Sequence, residues 1–202
     1  MRIYDTKTAP TPRRVRIFLA EKGIDMEYVQ VDLQGGENLS EPMRKKNPIG
    51  KVPILELDDG TCISESDAIC MYFEALHGEP YLFGETALQK GQVMMWQRQV
   101  EFCLFMQIGM CFQHSTGYFK DRMNPFPEYG KEAGINAVKF LSVLESRLSE
   151  SEFIAGPNFS IADITALCAI DFARVINIRL DEKHCHLGRW YDAVNARPSA
   201  IA

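Results

Sequence analysis

The spacing of apolar and polar positions changes character along the chain, and the changes mark its elements. RIYD (2–5) alternates as a short strand, and PRRVRIFLAEKG (12–23) then carries Val15, Ile17, Phe18 and Leu19 between a proline and a terminal glycine. That pattern predicts a helix over 12–23, since proline suits a first turn and glycine a stop. EYVQVDL (27–33) returns to alternation and predicts a second strand, and SEPMRKKN (40–47) predicts a short helix. VPILEL (52–57) and TCIS (61–64) flank Asp58-Asp59-Gly60, a hairpin signal, and SDAICMYFEALHG (66–78) reads as a helix. GEPYLFGET (78–86) is punctuated as a linker. Beyond it no hairpin signal recurs, and helical periods run over 87–117, softened at Gly91 and Gly109, then over 131–149, 161–177 and 181–197. A loop with Pro125 and Pro127 fills 117–130.

The order is therefore βαβ, a weak helix, ββ and a helix, followed by helices alone. A parallel βαβ unit joined to an antiparallel hairpin gives a mixed four-stranded sheet with helices on its faces, the thioredoxin-like arrangement. The expected class is α/β plus all-α: a thioredoxin-like domain over 1–77, a linker over 78–86 and an all-helical domain over 87–202. Composition narrows the function. The 202 residues are 46% hydrophobic and 24% charged, as in ordinary globular proteins, with a net charge of −5. An acidic chain argues against nucleic acid or an anionic membrane as partner. No signal pattern and no apolar run near ~18 residues predict a cytoplasmic protein. None of the six cysteines forms C-x-x-C, and most sit in apolar patterns, so a plain buried thiol in a reducing compartment is the reading.

Chemistry concentrates in NPIGKVPILELDDGTCISESDAI (47–69). Proline within a sheet belongs at an edge or at a strand's first residue. A cis Val52–Pro53 bond would turn the Val52 N–H and C=O toward a ligand's backbone. Ser66 is placed to cap the following helix, whose N-terminus is an anion site, and the Glu65 carboxylate would meet an ammonium group. A plain strand start and helix cap is the alternative reading of the same residues. Ser160 and Asp163 form a capping box ahead of an apolar run, a structural device. His184-Cys185-His186 contains metal-ligand residue types, but neighbours on a helix diverge and no second cluster accompanies them, so no metal is expected.

NPIGKVP followed by SESDAI resembles the glutathione-binding half of the cytosolic glutathione transferases. AGPNFSIADITALCAIDFARV (155–175) resembles the G-x-x-F-S-x-A-D element of that superfamily's helical domain. The likeness spans essentially the whole chain and looks closest to the fungal Gtt-two-like and related bacterial branch. It implies a transferase that conjugates glutathione to hydrophobic electrophiles in detoxification, needing no metal, as a homodimer. The helical domain would form the electrophile pocket. By the same resemblance Lys51 would neutralise the glycyl carboxylate, and Val52, ahead of Pro53, would pair with the cysteinyl backbone. Glu65 and Ser66 would hold the γ-glutamyl end. Asn38 falls where some relatives carry a glutathione-contacting histidine.

The loop that should serve the sulfur departs from the pattern. Conjugation needs a thiolate, and a thiol of pKa ~8.5 must be lowered by about 2 units, or ~2.7 kcal/mol. One hydrogen bond to the charged sulfur supplies ~1.5–3 kcal/mol, and a helix N-terminus ~0.3–1. In relatives a serine often provides that bond; aligned through RVRI, its position here is Pro10, which has neither hydroxyl nor N–H. Three candidates remain: the Thr11 hydroxyl, the Thr11 N–H, or a water held from FQHSTG (112–117), where His114 is the group that titrates near neutrality. His114 also reads as an ordinary helix-end residue. Arg14 and Arg16 read as structural. Two rivals keep the fold: a glutathione-dependent peroxidase or disulfide reductase, disfavoured by the lack of cysteine in the 8–12 loop, and a non-catalytic glutathione-binding or regulatory protein.

Overall fold

The structure is a computed structural model and describes residues 1–202. The chain divides into two compact units, residues 1–82 with 201–202, and residues 83–200.

The first unit contains β1 (Arg2–Asp5), α1 (Pro10–Glu21), β2 (Glu27–Gln30), α2 (Glu41–Lys46), β3 (Ile54–Glu56), β4 (Cys62–Ser64) and α3 (Ser66–His77). The sheet order is β2-β1-β3-β4, with β1 and β2 parallel and the other pairs antiparallel. This is the mixed thioredoxin-like sheet that the pattern predicts. Alternation along the strands separates two faces. Tyr4 and Ile54 face one way and pack with Val31, Val52 and the α2 residue Met43. Ile3 and Leu55, paired across β1 and β3, face the other way, where α1 and α3 pack with buried Phe18, Leu19, Ile69 and Phe73.

Several elements differ at their ends from the sequence expectation. The helix expected over 12–23 begins at Pro10 and ends at Glu21. Prolines occupy its first and third positions, where a helix needs no N–H, so both fit inside it. The strand expected to reach residue 33 stops at Gln30, although the Val31 N–H still donates to the Asp5 carbonyl at 2.7 Å. Asp32 then turns the chain: its carboxylate accepts from the Gly35 N–H at 2.8 Å, and its own N–H donates to Glu37 Oε2 at 2.8 Å.

The second unit contains α4 (Ala87–Val100), α5 (Met106–Ser115), α6 (Pro127–Glu150), α7 (Ile161–Ala173) and α8 (Cys185–Asn195). Glu101–Phe105 forms a π-helical turn joining α4 to α5, in which the Met106 N–H reaches back five residues to the Glu101 carbonyl. The break in the long helix thus falls at this turn, while Gly91 and Gly109 stay helical. α7 is apolar all round and buried along nearly its whole length, the mark of a central helix. Gly130 and Gly134 let α6 lie close to α5: a Cβ at Gly130 would sit 2.4 Å from Ser115 Oγ, and one at Gly134 3.1 Å from Cys111 Sγ. The Asp163 carboxylate, fully buried, accepts from Ile154 N–H (2.9 Å), Trp190 Nε1–H (2.8 Å), and both the N–H and hydroxyl of Ser160 (2.9 Å each). Burial pushes this carboxyl's pKa up, and the four donors oppose that shift. His184 precedes α8 and accepts the Asp181 N–H at Nδ1, 3.2 Å away. Glu145 of α6 caps α8 by accepting the His186 and Leu187 N–H groups at 3.0 and 2.8 Å. No helix is long and apolar enough to cross a membrane.

Candidate functional site

Residues 47–53 form a loop set rigidly by side chains. Asn47 is 1% exposed. Its Oδ1 accepts the Ile49 N–H at 3.2 Å, and its Nδ2 donates to the Lys51 carbonyl at 2.9 Å. Its own carbonyl accepts from the Gly50 N–H at 2.9 Å. Gly50 has φ +63°, a conformation that glycine adopts without strain, and a Cβ there would meet the Asn38 carbonyl at 3.1 Å. Asn38 Nδ2 donates to the Gly50 carbonyl at 2.6 Å, so the Asn38 amide braces the loop just before Lys51. The Lys51 side chain is exposed. The Val52–Pro53 bond is cis, as the sequence leads one to expect. Val52 stands outside the ladder, which β1 and β3 begin at the Tyr4–Ile54 pair.

The corner between β4 and α3 corrects one expectation. Glu65, not Ser66, precedes the first helical residue, and it does so at φ +71°, ψ +128°. A non-glycine residue there carries strain of order 1–3 kcal/mol and persists only where its surroundings hold it. Ser66 is the first residue of α3 and is buried, and its hydroxyl donates to the Thr11 carbonyl at 3.0 Å. With that proton committed, the donors this corner could offer an anion are backbone N–H groups of the first turn, that of Ser66 among them.

The same bond brings the mouth of α1 beside that corner. Of the first donors of α1, Ala9 N–H bonds to the Thr6 carbonyl at 2.9 Å, and Pro10 and Pro12 have none. The ladder starts with Arg13 N–H to the Ala9 carbonyl at 3.4 Å. Thr11 N–H, at the second helical position, precedes any intrahelical acceptor. The two prolines therefore leave one amide at the helix mouth. Of the arginines that follow, Arg14 and Arg16 are held by carboxylates. Arg16 Nη1 lies 2.6 Å from Asp5 Oδ1, and Arg14, 2% exposed, pairs with Asp67 at 3.5 Å.

Thr11, Asn38, Lys51, Val52, Pro53, Glu65 and Ser66 all belong to the first unit, whereas His114 belongs to the second. There His114 Nδ1 accepts the Phe126 N–H at 3.0 Å, and the ring meets Tyr129 edge-on with centroids 5.1 Å apart. In its neutral form the imidazole then carries its proton on Nε2. The imidazole thus braces the residue that precedes α6. Sequence reading passed over Asn47 and the Arg14–Asp67 pair. The Asn-Pro pair at 47–48 is a turn signal that points to the first; the second joins residues 53 positions apart and has no local signature.

A mixed four-stranded domain with this loop and corner is followed by helices, and comparison with known proteins gives the family of this arrangement. Residues 3–81 match the family described as glutathione S-transferase, N-terminal domain, and residues 110–198 that described as glutathione S-transferase, C-terminal domain. The chain is 36% identical over 203 residues to Glutathione S-transferase 2 of Saccharomyces cerevisiae, covering 98% of this chain and 87% of the yeast protein. The crystal structure of yeast Gtt2 superposes with a TM-score of 0.96 at 36% identity, over 100% of both chains. A glutathione S-transferase class Gtt2 of Vibrio parahaemolyticus superposes with a TM-score of 0.88 at 41% identity, over 98% of this chain and 95% of that one. The chain belongs to the glutathione S-transferase family.

Proposed function

We propose that the protein conjugates the thiolate of glutathione to hydrophobic electrophiles. The observation that carries this reading is the Ser66–Thr11 bond at 3.0 Å, which sets a corner suited to a γ-glutamyl group beside the lone amide at the mouth of α1. In the proposed complex the Glu65 carboxylate meets the glutathione ammonium, and the first-turn amides of α3 meet the γ-glutamyl carboxylate. Val52 offers its backbone pair to the cysteinyl residue ahead of Pro53, and Lys51 neutralises the glycyl carboxylate. Asn38 and Asn47 hold the loop that presents them.

Thr11 N–H then faces the sulfur. A hydrogen bond to a charged group contributes ~1.5–3 kcal/mol and a helix N-terminus ~0.3–1, together close to the ~2.7 kcal/mol that lowers a thiol pKa by about 2 units. The thiol proton passes to solvent. The sulfur forms a bond to the electrophilic carbon. In substitution the leaving group departs with its bonding pair; in conjugate addition the displaced pair is protonated from solvent. Glutathione is the nucleophile, so no protein nucleophile is required.

We further propose a cytoplasmic homodimer acting in detoxification. Exposed Met95, Phe102 and Met106, along the α4–α5 helix, support a partner surface. The test is calorimetric titration with glutathione, the absorbance of the bound thiolate, and turnover of an aryl halide. Binding, thiolate absorbance near neutral pH and turnover are expected. Binding without thiolate or turnover overturns the transferase reading in favour of a binding protein.

A further inference from the structure

We infer that Arg14 and Asp67 are positioning residues for the site: a strut between α1 and α3 that holds Glu65 in its strained backbone conformation. The inference rests on the glutathione reading above.

Glu65 sits at φ +71° and ψ +128°, and the two residues after it, Ser66 and Asp67, are both tied to α1. Ser66 reaches the Thr11 carbonyl at 3.0 Å, and Asp67 Oδ1 lies 3.5 Å from Arg14 Nη1. Thr11 and Arg14 are three residues apart on α1 and so share one face. Two ties one turn apart, on successive residues of α3, fix the direction in which that helix starts. The backbone of Glu65 is then left with the unfavourable conformation that its surroundings impose.

Charge points the same way. The Arg14 side chain is 3% exposed and that of Asp67 21%. A buried ion pair is weak support for stability, because an apolar pair of similar volume is often equally stable. What the pair does supply is direction: a guanidinium and a carboxylate meet in few geometries. The segment so directed carries the groups assigned to the γ-glutamyl end, and it adjoins the mouth assigned to the sulfur.

A paired-variant experiment separates positioning from plain stability. Asp67→Ala removes a carboxylate from beside a buried cation and should lower Tm markedly, while Arg14→Met combined with Asp67→Ala should bring Tm back to within about 4 °C of the unmodified protein. In that double variant the glutathione KM should still rise about tenfold, with kcat changed less than threefold. A second readout is coupling to the strain. Glu65→Gly should raise Tm by ~2–4 °C in the unmodified protein, and by less than half of that in the double variant, where the strain has already relaxed. A double variant that binds glutathione within twofold of the unmodified protein, or an undiminished Glu65→Gly gain, overturns the strut. Absence of calorimetric binding by the unmodified protein overturns the glutathione reading, and this inference with it.

Discussion

Thr11 is flanked by Pro10 and Pro12, and that flanking gives its amide a use. Each proline removes a donor, so the mouth of α1 has one free direction for an anion. If the amide activates the sulfur, Thr11→Val, which removes the hydroxyl but keeps the N–H, should leave kcat within about threefold of the unmodified protein. A fall of ~10–100-fold, the loss expected for a hydrogen bond to a charged group, would move the role to the hydroxyl. Steady-state kinetics with saturating glutathione decides between them. Glu65 has the opposite profile. Glu65→Gln keeps the side-chain shape but removes the charge that meets the ammonium, so the glutathione KM should rise ~10-fold with little change in kcat. Equal affinities by titration would remove Glu65 from the site. At this scale sequence reading identified the residue types and missed how they are used. Ser66 was readable as a helix-start hydroxyl, but whether that hydroxyl faces a ligand or Thr11 depends on a residue 55 positions away.

Among the elements, α7 shows how far a local signal reaches. Ser160 and Asp163 mark its start in the sequence, yet the same carboxylate also accepts from Trp190 and Ile154, contacts that no spacing announces. Asp163→Ala would leave these buried donors without a partner, so it should destabilise by ~3–5 kcal/mol, well beyond the ~1 kcal/mol of an ordinary cap. A Tm fall of roughly 10 °C is expected in calorimetry, and a fall under ~3 °C would mean that the donors find other acceptors. The α4–α5 helix gives the converse case. Its two glycines suggested the weak points, but a glycine's helix penalty of ~1 kcal/mol is readily outweighed by packing. The π-helical turn at Glu101–Phe105 has no residue signature and came from tertiary context.

For the molecule as a whole, acid stability follows from Glu56, which ties β3 to β1 and α2. Its carboxylate accepts from Lys46 Nζ at 2.5 Å, and from Tyr4 OH and Arg2 Nε at 2.7 Å each. The Lys46 bond, followed by those of Tyr4 and Arg2, pulls the Glu56 pKa down to about 2, from an ordinary 4.5. A depressed carboxylate pKa adds stability that is fully present above the unfolded value. That stability is lost as pH falls from about 4.5 toward about 2. Glu56→Gln should therefore cost ~1–2 kcal/mol near neutrality, allowing for solvent screening, with the difference from the unmodified protein shrinking below pH 4.5. Chemical denaturation at pH 7 and pH 3 measures both values, and an equal difference at the two would show that Glu56 acts through shape.

By itself the sequence determined the order of strands and helices, the mixed sheet, the cis proline loop and the family, because these rest on short-range period, turn chemistry and motif. It determined that Pro10 cannot supply the usual hydroxyl. The tertiary structure alone decided which donors remain free. Ser66 turns to Thr11, Asn38 to Gly50, His114 to Phe126 and Arg14 to Asp67, each a contact between residues at least 12 positions apart. A hydrogen bond or ion pair is directional and saturable, so a residue's type states what it is able to bond, and only the packed chain states what it does bond.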